Sequence, residues 1–225
     1  MTSDHSLSVP AEPYPFEFAP EHCALLMIDL QRDFLEPGGF GEMLGNDVSQ
    51  LRRVIEPNRQ LLAAWRARAL PVMHTREGHR PDLSDLPPAK RIRGHGKTSI
   101  GDAGPMGRIL VRGEAGHDII PELYPLRSEP VIDKPGKGAF FATDLHAILQ
   151  NKGITQLIVT GVTTEVCVNT TVREANDRGY DCLVPEDCVG SYFPEFQTMG
   201  LRMIKAQGGI FGWVSDSASI LAALE

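Results

Sequence analysis

Short apolar runs alternate along the chain with longer segments whose apolar residues recur at helical spacing. Residues 24–29 (ALLMID) have strand length, and residues 48–68 follow with Leu51, Val54, Ile55, Leu61, Leu62 and Trp65 on one helical face. Residues 70–75 (LPVMHT) predict a second strand. The segment 76–116 is then long, rich in Gly, Pro and Arg, and weakly periodic, a length that marks a loop as functional in a compact domain. Residues 130–133 (PVID) predict a third strand, 144–152 a helix with Gly153 at its end, 156–161 (QLIVTG) a fourth strand, and 164–178 a helix closed by Gly179. A strand at 180–184, a helix at 194–206, a strand at 209–214 and a final helix at 215–224 complete the alternation. Strands apolar on both faces, separated by helices, predict an α/β, doubly wound (Rossmann-like) domain: a mostly parallel sheet of about six strands with helices on both faces.

The 225 residues suit a single domain, 1–225, large enough to bury its own core. A net charge of -7 with no basic run argues against nucleic acid as a partner. No stretch approaches the ~20 apolar residues of a membrane span, so no membrane partner is expected. The first twenty residues are polar and proline-bearing, without the charged start and apolar core of a secretory signal, so the cytoplasm is the expected location. Cys23, Cys167, Cys182 and Cys188 show no metal-type CxxC spacing and are expected to be free thiols, three of them packing residues.

In a doubly wound sheet the ligand sits outside the carboxyl ends of the strands. That places Asp29, Thr75, Asp133, Lys134, the segment 161–167, Asp187, Cys188 and Gln207 where chemistry is done. Cys167 falls in the first turn of the helix after QLIVTG, with Thr163 or Thr164 as cap, where the helix dipole is expected to depress a thiol pKa and free amides to hold an oxyanion. Asp29, after an apolar strand, reads either as a loop carboxylate or as a base whose pKa burial raises, and Lys134 is placed to pair with it. His74, His79, His95 and His117 fit no metal-ligand spacing and read as solvated or hydrogen-bonded loop histidines. Arg76, Arg80, Arg91, Arg93 and Arg112 read as surface or subunit-contact charges, or as readers of a substrate carboxylate.

The segments MIDLQRDFLEPGG (27–39), VIDKPGKGAFFATDL (131–145) and VTGVTTEVCVNTTVREANDRGY (159–180) resemble the signature regions of the isochorismatase-like cysteine hydrolases, over almost the whole chain. The resemblance implies a catalytic triad of Asp29, Lys134 and Cys167, with Cys167 as nucleophile. It also implies a non-proline cis peptide between Val162 and Thr163, and an oxyanion hole from the amides of Thr163 and Cys167. Nicotinamidases of this superfamily hold a metal through an Asp-x-His pair that this chain lacks after its first signature, so neither metal nor other cofactor is expected. HTREGHRPDLSDLP (74–87), GRILVRGEAGHDIIPELYP (107–125) and KAQGGIFG (205–212) are similar to biuret and triuret hydrolases, which implies Gln207 as a substrate-reading carboxamide. Phe34 and Phe40 are candidate walls of the pocket. FGWVSD also resembles ureidoacrylate amidohydrolases. The expectation is hydrolysis of an amide bond in a small ureido compound, biuret or triuret, with release of ammonia. A ureidoacrylate or N-carbamoyl amino acid hydrolase is the alternative, and a non-catalytic subunit of the same fold the reading from another class. A nucleotide-binding domain is disfavoured because DLQRD stands where a glycine-rich phosphate turn would. A homodimer or homotetramer is what the resemblance implies.

Overall fold

The computed structural model describes residues 6–91 and 98–225. A hairpin of β1 (Leu7–Val9) and β2 (Phe16–Phe18) precedes β3 (Cys23–Ile28), the helix Ile55–Ala67 and β4 (Val72–Glu77). The long segment that follows holds a two-residue-a-strand hairpin, β5 (Ala103–Gly104) and β6 (Gly107–Arg108), and leads to β7 (Val131–Lys134). Helix Leu145–Asn151, β8 (Gln156–Val162), helix Asn169–Asn176, β9 (Asp181–Pro185), β10 (Val189–Gly190), helix Pro194–Gly209, β11 (Trp213–Ser215) and helix Ser217–Ala223 complete the chain.

The main sheet runs β11-β9-β8-β3-β4-β7, with β10 beside the end of β8, and every pairing in it is parallel. β3 sits at its centre because both its faces are apolar. Cys23, Leu25 and Met27 enter one core with Trp65, Leu61, Ile220 and the hairpin's Phe16 and Phe18. Ala24, Leu26 and Ile28 enter the other with Leu149, Val172, Ala175 and Ile204. That period of two, read against helices on both faces, is the doubly wound arrangement expected from the sequence.

The connections diverge between β3 and β8. From β3 the chain moves outward to β4 and β7, then returns beside β3 as β8 and moves the other way to β9 and β11. The two strands press together at that divide: Gly161 has φ +106°, and a Cβ there would stand 1.9 Å from the Ile28 carbonyl oxygen. Only glycine allows both the backbone conformation and the approach. The first expected long helix is broken, with a separate turn at Ser49–Arg52 before Ile55–Ala67. The expected strand at 209–214 is shorter, because the preceding helix reaches Gly209 through a left-handed kink at Gln207 and Gly208. Among the described residues no helix is long and apolar enough to cross a membrane.

Candidate active site

Four strand ends converge at the divide. Asp29 directly follows β3, fully buried, with φ 48°, a left-handed conformation that Asp tolerates better than most residues. Its Oδ1 accepts the Thr75 hydroxyl of β4 at 2.6 Å, and its Oδ2 lies 2.8 Å from Lys134 Nζ. Lys134 closes β7, fully buried, and spends its other hydrogens on the carbonyls of Gly136 (3.0 Å) and Lys137 (2.8 Å). Burial works against that ammonium, but Asp29, with Glu77 beyond it, more than reverses the effect and holds its pKa above the ordinary value.

Cys167 lies on the segment Thr164–Val168, a wide π-turn that opens the helix after β8. Neither Thr163 nor Thr164 caps this turn with its side chain; the Thr164 hydroxyl instead donates to Gln197 Oε1. The expected depression of the thiol pKa is not realised at rest. Burial pushes the Cys167 thiol well above its ordinary value, and although Lys134 and Lys137 pull it down, the carboxylates of Asp29 and Glu77 oppose them. The Val162–Thr163 peptide is cis.

Glu77 is the group that the sequence reading missed. β4 runs two residues beyond the expected Thr75 and ends at Glu77, whose Oε2 accepts from Cys167 Sγ at 3.6 Å. Its Oε1 is held by Lys137 Nζ at 2.8 Å and Lys90 Nζ at 2.9 Å. Burial alone would raise this carboxyl; Lys134, Lys137 and Lys90 together hold it at about 2. The signal was present in HTRE, where the period of two continues past Thr75, and Lys137 stood inside the VIDKPGKG segment.

A cavity of about 180 Å³ opens onto Cys167, well below the ~300–1,000 Å³ of pockets for drug-sized ligands. Phe34 and Phe40 line it, as do Thr163, Glu77 and Lys137, together with Asn46, Glu165 and Tyr192, which the sequence did not single out. Tyr192 is fixed by donating its hydroxyl to the Phe34 carbonyl at 2.8 Å.

Gln207 does not join them. It is exposed and is not among the residues lining the cavity; it lies in the left-handed kink near the carboxyl end of the helix Pro194–Gly209. Of the two expected forms, His74 and His79 take the hydrogen-bonded one, buried and paired with Glu129 at 2.9 Å and Asp85 at 3.2 Å, and buried His117 has its Nε2 3.6 Å from Asp133. Arg76 is taken by Asp133 and Asp118, Arg112 by Asp85, and Arg80 and Arg91 are exposed. None of these arginines lines the cavity. His95 and Arg93 lie outside the described residues. Cys23, Cys182 and Cys188 are buried free thiols in the two cores.

Asp29, Glu77 and Cys167 bring ligand-type atoms within 4.8 Å of one another, a set that could in principle hold a metal ion. Three lysine ammoniums already stand against these two carboxylates, so the positive charge an ion would bring is supplied by the chain itself.

A family model, the isochorismatase domain, matches residues 23–219. Among curated proteins, the ureidoacrylate amidohydrolase of Serratia proteamaculans is 30% identical over 97% of this chain and 89% of its own. That of Yersinia enterocolitica is 33% identical over 92% of this chain and 90% of its own. Among solved structures, a cysteine hydrolase from Pseudomonas syringae superposes with a TM-score of 0.79 at 24% identity, covering 99% of this chain and 98% of that one. N-carbamoylsarcosine amidase from Thermoplasma acidophilum gives 0.65 at 23%, covering 87% and 96%. At these identities the structural likeness establishes the fold.

Proposed function

Because the chain belongs to the isochorismatase family, we propose that it is a cysteine amidohydrolase that cleaves a terminal carbon–nitrogen bond of a small uncharged ureido compound, of the biuret or triuret kind, through a thioester. Cys167 holds its proton at rest, so sulfur attack on the terminal carbonyl and proton transfer go together. Asp29 takes that proton, with a carboxylate oxygen within 4.8 Å of the sulfur, while Glu77 is pinned as an anion by its lysines and is a poor base. The tetrahedral oxyanion rests on the amides of Thr163 and Cys167, both in the cavity wall. Asp29 returns the proton to the leaving nitrogen, ammonia departs, and water hydrolyses the thioester. Biuret gives allophanate; triuret gives carboxybiuret.

The observation that carries the substrate class is the pair Glu77 and Lys137 beside the sulfur. A fixed acceptor next to a fixed donor matches the N–H and C=O of a ureido group. Among the described residues lining the cavity Lys137 is the one cation, and Glu77 already meets its charge, leaving nothing for a substrate carboxylate.

The second reading is a ureidoacrylate amidohydrolase, favoured by the relatives of that name at 30% and 33% identity. Ammonia release from biuret, triuret, ureidoacrylate and N-carbamoylsarcosine, with Cys167→Ser alongside, separates the two. Turnover of biuret or triuret that vanishes in the variant is expected. Turnover confined to ureidoacrylate overturns the first reading in favour of the second, and silence on all four overturns both.

A further inference from the structure

Glu165 stands two residues before the nucleophile, on the π-turn, and lines the catalytic cavity. It also lines a second groove of about 350 Å³, with Arg173, Met199 and Met203, on the other side of the same turn. It is therefore shared by the wall of the catalytic cavity and that of the outer groove. Its Oε2 is shut off from solvent and has no hydrogen-bond partner, although an acceptor left unmet in that way is costly. Among the described residues no cation is paired with it: the Arg173 guanidinium lies instead over the Phe211 ring, 4.1 Å from its centroid. The charge of Glu165 is felt inside the cavity wall, where Tyr192 is made less acidic first by burial and next by Glu165. The Tyr192 hydroxyl in that wall is already spent on the Phe34 carbonyl.

We infer that Glu165 is a specificity-determining residue, an anionic wall that accepts an N–H from the outer end of an uncharged ureido substrate and turns carboxylated molecules away from Cys167. This rests on the cysteine amidohydrolase reading above and names what sets its substrate charge. Coulomb repulsion in a site shielded from water is strong enough to discriminate between molecules of one size that differ by a single charge.

Iodoacetamide and iodoacetate are such a pair, and their use does not depend on knowing the substrate. The alkylation rates of Cys167 by each, followed by peptide mass spectrometry, give a ratio for wild type, Glu165→Gln and Glu165→Arg. Wild type favours iodoacetamide; Glu165→Gln narrows the ratio at least fivefold, and Glu165→Arg narrows it further or inverts it. The same order is expected in kcat/KM for biuret against ureidoacrylate. A role confined to stabilising the first turn of the helix would lower Tm and slow both reagents alike, and an unchanged ratio in two folded variants overturns the inference. If wild type turns over neither substrate, the amidohydrolase reading fails, while the alkylation ratio still decides what Glu165 does.

Discussion

At the scale of the residue, the protonated thiol of Cys167 orders the chemistry. Burial and two carboxylates keep the proton on sulfur, so the site depends on a base that acts during attack rather than on a thiolate formed beforehand. Asp29→Asn is accordingly expected to lower kcat by about 10²–10⁴-fold while leaving KM little changed, as steady-state kinetics would show. Glu77→Gln is expected to raise KM for the ureido substrate, because one acceptor oxygen becomes an NH2 donor and the anion that fixes Lys137 is lost; an unchanged KM would remove Glu77 from substrate binding. Gly161→Ala should fail at the level of folding, since the new Cβ would stand 1.9 Å from the Ile28 carbonyl oxygen in a region of φ that alanine avoids. Circular dichroism and a lowered Tm would report it. Asp29 and Lys134 drew attention as strand-end residues and Cys167 as a first-turn residue, but it was the resemblance of the three signature segments that implied them as a triad. Glu77 was not legible, because HTRE reads as a charged loop unless the alternation of buried and exposed positions is carried two residues further.

At the scale of the element, the start of the long segment after β4 is tied to the site by Lys90, alongside the Arg76–Asp118 pair and the Gln31 side chain on the His117 carbonyl further along. Lys90, on the short helix Pro88–Arg91, reaches Glu77 Oε1 at 2.9 Å, His79 Nε2 at 3.0 Å and the Pro135 carbonyl at 2.8 Å. Breaking a largely buried pair by removing one partner costs roughly 3–5 kcal/mol. Lys90→Met is expected to lower Tm and to raise amide hydrogen exchange across residues 78–91 before it does so in β3 or β8; uniform exchange would show that this segment has no separate anchor. Its length marked it as functional, but nothing in local spacing tells which lysine turns inward. The helix Pro194–Gly209 shows where a motif and the fold of one chain diverge. The resemblance implied Gln207 at the site, whereas within this chain Gln207 is exposed in a left-handed kink and does not line the cavity. The hairpin of β1 and β2 was also missed, although FEF carries its pattern, with Phe16 and Phe18 buried and Glu17 exposed.

At the scale of the whole molecule, the layered fold followed from strands apolar on both faces, because a sheet of that kind is stable only between helices. The same burial makes the protein acid-sensitive. Glu77 is held at about 2 against burial by its lysines, and Glu129 at about 2, against burial, by Arg66, the Leu126 amide and His74. His117 is lowered to about 4, first by burial and then by Arg76. Each folded value lies below its ordinary one, so the unfolded chain binds more protons at low pH, and the stability these groups contribute is lost as pH falls. For His117 that loss begins as pH drops through its ordinary 6.5, and for the two glutamates through 4.5 and on toward 2. Thermal melts should show Tm level above neutrality and falling across this window; a Tm that rises on acidification would contradict the charge arrangement. The central claim, that Cys167 carries an acyl group through the reaction, is tested most directly by intact-protein mass spectrometry after acid quench during turnover of biuret or triuret. The expected result is a mass increase equal to the substrate less ammonia, localised to Cys167 and absent from Cys167→Ser, and turnover by Cys167→Ser at near wild-type rate would contradict it.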